Sequence, residues 1–532
     1  MNKILQTAIA IALSFSPIVS VAQAPPLGTA SNYVLFSTNG AVTNTGLSQL
    51  TGNVGTNNGP ITNFGNVDGL MQGASTATAT AAADLTIAYN FLDAAIPTFF
   101  PAPLLGNGIV WTPGIYSVGQ TATLDNTLTL DAQGNGNAVF IIQVEGAFSS
   151  TSGSQVILAN GAQACNVFWK IEGLVNLATN TVFKGTIVAN NAAIVMNTGV
   201  QLEGRALSTT GAVTISGVIS RKPAGCGSPI LTGPPAPNLG TAACYTIFSG
   251  NGGVTNTGIT FITGDVGTNV GLATGFQALN VTGTIHPNPD VSTAQCAADL
   301  NVAYAYLNTL PSDIPLLFPA AFGNDLVLTP HTYTLDAATV LTGKVTFNAQ
   351  GNQDAVFVLK INGALSTSTF ATVALINGAQ AKNVFWKVEG ATNLNDNSVF
   401  KGTVIGNNGA VILNTGVAIE GRVLSTTGAI STFAINAAMT PGCTALGIKD
   451  YALPVAKFYP NPFSSNLTVA VDNGFQDSSS ELALYNSVGS LVLQKTLTGT
   501  ANTIGTSLPS GVYFYKLLSD SGKVQTGKLV SK

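Results

Sequence analysis

The chain has 532 residues, of which only 8% are charged and 45% are hydrophobic, with 58 glycines and a formal net charge of −4. Low charge with high hydrophobicity excludes a disordered chain, and the lack of any basic cluster excludes nucleic acid and anionic membrane surfaces as partners, since both need Lys and Arg. Abundant Gly, Thr, Asn, Ser, Ala and Val suit short strands joined by tight turns, and the length suggests two or three domains.

Residues 1–24 read as an export signal, with Lys3 as the positive start, an apolar run over Ile4–Ser14 and a small-residue cleavage site at Ala22-Gln23-Ala24. The run is too short for a membrane span and Pro17 interrupts the stretch after it, so a soluble exported protein without stable membrane insertion is expected. The rest is organised by an internal repeat. FSTNGAVTNTGLSQLTGNVGTN at 36–57 returns as FSGNGGVTNTGITFITGDVGTN at 248–269, and GAQACNVFWKIEG at 161–173 returns as GAQAKNVFWKVEG at 378–390. FKGTIVANNAAIVMNTGVQLEGRALSTTGA at 183–212 matches FKGTVIGNNGAVILNTGVAIEGRVLSTTGA at 400–429. These repeats set two domains at 25–225 and 242–443, with a Pro/Gly-rich, semi-rigid linker at 226–241.

Each copy carries one predicted helix, about 76–95 and 292–308. Leu85, Ala88, Tyr89 and Leu92, like Leu300, Ala303, Tyr304 and Leu307, recur at i, i+3, i+4 and i+7. A finer interval of 19 residues separates GTIVA at 185–189 from GRALS at 204–208, and VFWK precedes the first by the same interval. Each interval holds three short strand-like pieces, the pattern of a three-faced β-solenoid coil stacked on its neighbours. A β-sandwich has equally short strands, but the recurring FKGT and LEGR corners favour the solenoid. On the first face Phe168, Ile187 and Ala206 alternate with Trp169, Val188 and Leu207, so one side is expected in the interior and the other under the helix. Trp169, Trp386, Tyr89 and Tyr304 then read as packing residues rather than ligand-stacking ones. A linker at 444–454 precedes a different unit, 455–532, whose alternating strands and turns at Asn486-Ser487, Pro509-Ser510-Gly511 and Ser521-Gly522 suggest a small β-sandwich.

Chemistry is hard to find. The five cysteines allow disulfides in an exported protein, with the connectivity open and at least one thiol left over or paired between molecules. No Cys/His spacing suits a metal. Glu172, Glu389, Glu203, Glu420, Asp84 and Asp299 recur between copies without a second acid at a catalytic spacing. They read as solvated corners or helix-terminal charges paired with Lys184 or Arg205. His286 and His331 occur in the second copy alone. No enzyme activity, cofactor or metal is expected.

The VTNTG…TGNVGTN, NVFWK-x-EG and FKGTIVAN…LEGRALSTTGAVT tracts resemble the ice-binding-like domain family of bacteria and microbial eukaryotes, over nearly all of both copies. That resemblance implies an irregular, discontinuous three-faced β-solenoid with one long helix alongside, and adsorption to ice through a flat face of short side chains. The YPNPF…LYNSVGSLV…GVYFYKL…GKLV pattern resembles the sorting domain of the type IX secretion system, which implies that machinery as a partner and a secreted or outer-surface location. The expected fold class is mainly β: two such solenoids, each with one flanking helix, plus a small C-terminal β-sandwich.

Of the three faces, the third carries Val182, Lys184, Gln201 and Glu203 and is partly charged, whereas the second turns short uncharged groups outward. Threonine holds a methyl and a hydroxyl on a stiff χ1, so stacked coils would set such groups at a fixed interval. The candidate ice-contacting residues are Thr43, Ser149, Thr151, Asn176, Asn197, Thr214 and Ser216 in the first copy. In the second they are Thr255, Ser366, Ser368, Asn393, Asn395, Asn414 and Ser431. Val195, Ile412 and Phe433 interrupt the pattern. The alternatives are an adhesin or carbohydrate-binding module, expected to show an aromatic-lined cleft, and a structural spacer with no flat uncharged face. The chain is expected to act as a monomer.

Overall fold

A computed structural model describes residues 22–226, 230–443, 456–471, 479–520 and 524–532. The export signal before residue 22, the 444–454 linker and the Ser521-Gly522 turn lie outside the described residues. The chain divides into two compact units, Met1–Cys443 and Thr444–Lys532.

Both repeats in the first unit are parallel solenoids. In the first, one face is an eight-stranded parallel sheet stacked in the order Ile61–Thr62, Val42–Thr45, Val213–Ser216, Ile194–Met196, Val175–Leu177, Phe148–Ser150, Ala122–Asp125, Leu104–Gly106. The earliest strands therefore lie against the latest coil, with Val42 beside Val213 and Leu35 beside Ala206. This is the expected discontinuity: the N-terminal coils close the end that the last coil would otherwise leave open. The second repeat has the same sheet, from Ala273–Thr274 and Val254–Thr257 through Ile430–Phe433 to Phe322–Gly323.

The other two faces share one sheet, because eight-residue strands such as Val182–Ala189 and Gln201–Ser208 run around the corner between them. The corner glycines permit this. Gly185 has φ 108°, and a Cβ on Gly204 would lie 1.8 Å from the carbonyl oxygen of Gly185.

One register expectation is corrected. Phe168 pairs with Thr186 and Trp169 with Ile187, one residue off the 19-residue interval read from the sequence. A one-residue slip exchanges the two sides of a strand. Trp169, Ile187 and Ala206 thus fill the solenoid interior, while Phe168, Val188 and Leu207 pack under the helix.

The helices α1 (Thr76–Asp93) and α2 (Val291–Thr309) start at Ser75 and Asp290, whose side chains accept from the backbone N–H of Thr78 and Thr293. Leu85, Ala88 and Leu92 of α1, and Leu300, Ala303 and Leu307 of α2, are buried as the periodicity requires. The two tyrosines do more than pack. Tyr89 Oη donates to Glu172 (2.7 Å), which also takes Asn190 Nδ2 (2.8 Å) and pairs with the buried Lys170 (2.9 Å). Lys170 reaches Asp93 of α1 (2.8 Å) and Glu145 (3.0 Å) as well. Tyr304, Glu389, Asn407 and Lys387 repeat the arrangement beside α2.

Burial alone would raise the Glu172 and Glu389 carboxyls, but the lysine, tyrosine and asparagine donors outweigh it and hold both below the ordinary value of 4.5. A depressed carboxyl stabilises the fold above its unfolded value, and that contribution is lost as pH falls through the lower folded value. The unfolding midpoint is therefore expected to drop below about pH 4.5, and Glu172→Gln with Glu389→Gln should flatten that slope. A pH series of thermal melts checks it; an unchanged slope in the double variant would mean that the two clamps do not set the acid sensitivity.

Of the other recurrent acids, Glu203 pairs with Lys184 (2.8 Å), as expected. Arg205 does not pair with an acid: its guanidinium is buried and donates to Ser31 O and Thr186 Oγ1. Asp84 and Asp299 accept from Thr29 and Thr241.

Disulfides join Cys165 to Cys226 and Cys244 to Cys443, leaving Cys296 as a buried thiol on α2. The copies also meet directly. Asn66 and Phe318 exchange two hydrogen bonds (2.8 and 2.9 Å), and the buried Asp68 accepts from Tyr333 Oη (2.6 Å) and Thr329 Oγ1 (2.7 Å). The connecting segment is laid on the second copy, with Val356 N donating to Thr232 O and Asn352 Nδ2 to Leu231 O.

The Thr444–Lys532 unit holds two antiparallel sheets. One contains Lys457–Tyr459, Asn466–Ala470 and Ala501–Gly505; the other contains Ser480–Tyr485, Leu491–Leu497, Gly511–Ser519 and Val524–Ser531. They enclose a core that includes Phe463, Leu467, Leu484 and Leu517.

Candidate functional site

The second face is built by strand alternation. Val42, Val213, Ile215, Ile194, Met196, Val175 and Leu177 point into the core, so the residues between them must point out. Cα pairing then places the outward residues of the first copy in one row across the sheet: Thr62, Thr43, Thr214, Val195, Asn176, Ser149, Thr123 and Leu104. Neighbours in the row are about 4.8 Å apart, and the next row along the strands lies about 6.7 Å away. The row is partly self-bonded: Thr62 Oγ1 donates to Thr43 Oγ1 (3.2 Å), and the Thr123 and Ser149 hydroxyls are 3.1 Å apart. These bonds and the stiff χ1 fix the side chains while leaving hydroxyl capacity for water.

Four of the seven residues singled out in the first copy, Thr43, Ser149, Asn176 and Thr214, fall in this row. Ser216 pairs with Thr45 in a second row at the strand ends. Asn197 lies just past its strand and turns back, donating to Asn176 Oδ1 (2.9 Å) and Leu177 O (2.7 Å). Thr151 donates to Asp125 Oδ1 (2.7 Å), which puts a carboxylate at the margin of a face expected to be uncharged.

In the second copy the row reads Thr274, Thr255, Ser431, Ile412, Asn393, Ser366 and Val340. Asn414 donates to Asn393 Oδ1 (2.7 Å) and Asn395 to Thr367 O (2.5 Å), so these two brace the ends of the strands, and Ser368 lies just past Leu365–Thr367. Phe433 stands beside Thr257 at 37% exposure, as much as Ile412, which makes this margin more apolar than its counterpart.

Thr62, Thr123, Leu104, Thr274 and Val340 complete the rows and were missed in the sequence. Thr62 and Thr274 stand 19 residues after Thr43 and Thr255, so the coil interval itself pointed to them, whereas Thr123 and Val340 lie 26 residues before Ser149 and Ser366, off that interval. The alternation in ATLD at 122–125 was the signal available for Thr123.

Elsewhere the chemistry is sparse. No group of three or more His, Cys, Asp or Glu suited to a metal exists among the described residues. His286 Nδ1 lies 2.8 Å from Asp290, and His331 Nδ1 lies 3.2 Å from Thr329 Oγ1 at the junction of the copies. Among the described residues no helix is long and apolar enough to cross a membrane.

Comparison with known proteins bears on the family and the fold. The model of the ice-binding-like family matches residues 36–219 and 248–436, and that of the secretion system C-terminal sorting domain matches 457–532. The crystal structure of an ice binding protein from an Antarctic bacterium, Flavobacteriaceae, is 71% identical, covers 80% of this chain and 100% of its own, and superposes with a TM-score of 0.78. The ice-binding protein of Nostoc sp. (strain HG1) is 38% identical over 206 residues, which are 38% of this chain and 76% of that protein. That of Flavobacterium frigoris (strain PS1) is 32% identical over 204 residues, 36% of this chain and 72% of its own. Two family matches spanning both solenoids, and a solved relative aligned over the pair of them, establish that the chain belongs to the ice-binding-like family and carries its domain twice.

Proposed function

We propose that this chain binds ice through the second face of its solenoids. It is a binding protein, not an enzyme, and its sorting domain makes it a secreted or surface-attached client of that secretion system. The observation that carries the site assignment is the row of short side chains held at strand spacing in the first copy, with no aromatic residue on its outer side. Methyl groups order the water around them, and hydroxyls and amides anchor that layer. Repetition at a fixed interval lets the layer join a crystal lattice. Each contact is weak, yet a rigid array loses little freedom on binding and sums many contacts. Adsorbed molecules then restrain growth and recrystallisation between them.

The third face, with the Lys184–Glu203 pair, holds water in orientations set by its charges and is poorly suited to this. The first face is covered by α1 and α2. The test is partition of the labelled mature chain between a slowly grown ice hemisphere and the liquid. Enrichment in ice is expected; exclusion along with a non-binding control protein would overturn the reading.

A further inference from the structure

Arg205 and Arg422 occupy equivalent places in the GRALS and GRVLS tracts, yet their surroundings differ. In the second copy every guanidinium nitrogen is spent on protein. Nε donates to Ala243 O (2.8 Å), Nη1 to Thr440 Oγ1 (2.6 Å) and Nη2 to Thr440 O (2.8 Å). In the first copy Nε donates to Ser31 O (2.9 Å) and Nη1 to Thr186 Oγ1 (3.2 Å), while Nη2 has no partner among the described residues, although the residue is only 9% exposed.

The cause lies in two adjacent residues. The amides of Lys222 and Met439 make the same bond, to Thr51 O and Thr263 O, so Lys222-Pro223 stands where the second copy has Met439-Thr440. The exchange removes the threonine cap and sets a second cation beside the first. The Lys222 ammonium makes no hydrogen bond or ion pair with any described residue. Burial lowers its pKa, and the Arg205 charge lowers it further, against a weaker pull from Asp68. Two like charges in a partly desolvated site cost stability unless a counter-charge joins them, and the second copy shows that a neutral solution fits the same backbone.

Both cations line a cavity of about 820 Å³ at the junction of the two copies. Its carboxylates are already engaged: Asp68 by Tyr333 and Thr329, and Asp313 by the Thr332 amide. We propose that this cavity binds a small oxyanion, a carboxylate, phosphate or sulfate group, seated on Nη2 of Arg205 and the ammonium of Lys222. Such groups accept charge-assisted hydrogen bonds from both. The acid is either free or carried by an acidic sugar, and the cavity is large enough for either.

The test is thermal unfolding of the full chain against inorganic phosphate, and separately against galacturonate with galactose as its neutral control, at constant ionic strength. A saturable rise in the midpoint is expected with phosphate. A response to galacturonate but not galactose would show that a sugar acid is also accepted, and a response to phosphate alone would restrict the site to free ions. Lys222→Met with Pro223→Thr installs the second copy's neutral arrangement. It removes the ammonium and supplies a threonine to the guanidinium, so the apparent affinity is expected to fall by well over about tenfold, more than one charge-assisted contact. Ice partition, which uses another face, stays unchanged and reports correct folding. No saturable response in the wild type, or the same response in the double variant, would overturn the proposal. If Lys222 serves only to neutralise Asp68, the double variant will be destabilised without phosphate and the wild type will ignore the anion, which also overturns it.

Discussion

A chain carrying both Thr214→Tyr and Ser431→Tyr is expected to lose nearly all adsorption to ice, while each single variant keeps part of it. Thr214 lies between Thr43 and Val195 in the first row, and Ser431 between Thr255 and Ile412 in the second. A phenol ring at either position stands several ångströms above its short neighbours, so a crystal plane resting on it loses contact with the coils on both sides. The loss therefore exceeds that of one side chain. On the proposed reading, the two domains of the chain share the adsorption. Once one face is held, the other binds from a high effective concentration, so removing one leaves a weaker single-site binder and removing both leaves none. Both substitutions project into solvent from sheet positions and leave the core intact, so unchanged circular dichroism should accompany the loss. Full retention by the double variant would place the ice contact elsewhere.

The second large effect concerns stability. Replacing Cys244 and Cys443 with Ser is expected to destabilise the second solenoid by about 5 kcal/mol on the loop-entropy account, read as a shift of its guanidinium unfolding transition. The bridge spans 199 residues. It acts where the fold is most costly to assemble, because strand Tyr245–Ser249 must find strand Ala418–Ser425 from the far end of the repeat, pairing Ile247 with Val423. Cys244 immediately precedes that strand, and its neighbour Ala243 accepts from the buried Arg422, so the covalent link and the guanidinium hold the same seam. The first copy lacks such a bridge; its disulfide joins Cys165 to Cys226 over 61 residues. A shift under about 1 kcal/mol, well below the loop-entropy figure, would mean that the seam is preorganised by packing alone.

The solenoid was legible because each coil repeats its own pattern. Alternation in VTIS and IVM tells which residues point inward, and the corner glycines recur with the coil. The helices were legible from one apolar stripe each. Register was not: the VFWK strand is apolar on both sides, so a slip between Phe168 and Trp169 leaves no mark on the hydrophobic pattern. The second-face row was read in part for a related reason. Asn176, Val195 and Thr214 follow the 19-residue interval, as do Thr43 and Thr62, but Thr43 meets Thr214 from the far end of the repeat. Thr123, Ser149 and Asn176 are spaced by 26 and 27 residues, so their places in the stack are set by pairing that the interval does not encode. Nor does sequence distinguish a polar residue that faces solvent from one that braces its own turn, and Asn197, Asn395 and Asn414 do the latter. The partners of Glu172 were hidden too, since Tyr89 comes from a helix far away in sequence and Lys170 lies within the otherwise apolar strand Val167–Ile171, where nothing in the pattern says which way its ammonium turns.

The most direct test places the same bulky ring on two faces of one copy. Ser149→Tyr lies in the second-face row and Gln201→Tyr on the exposed third face, and the thermal hysteresis of each full-length variant is measured against the wild type. If ice rests on the second face, Ser149→Tyr shows a marked loss and Gln201→Tyr behaves as the wild type. The reverse result, with hysteresis lost through position 201 and kept through position 149, would contradict contact through that face.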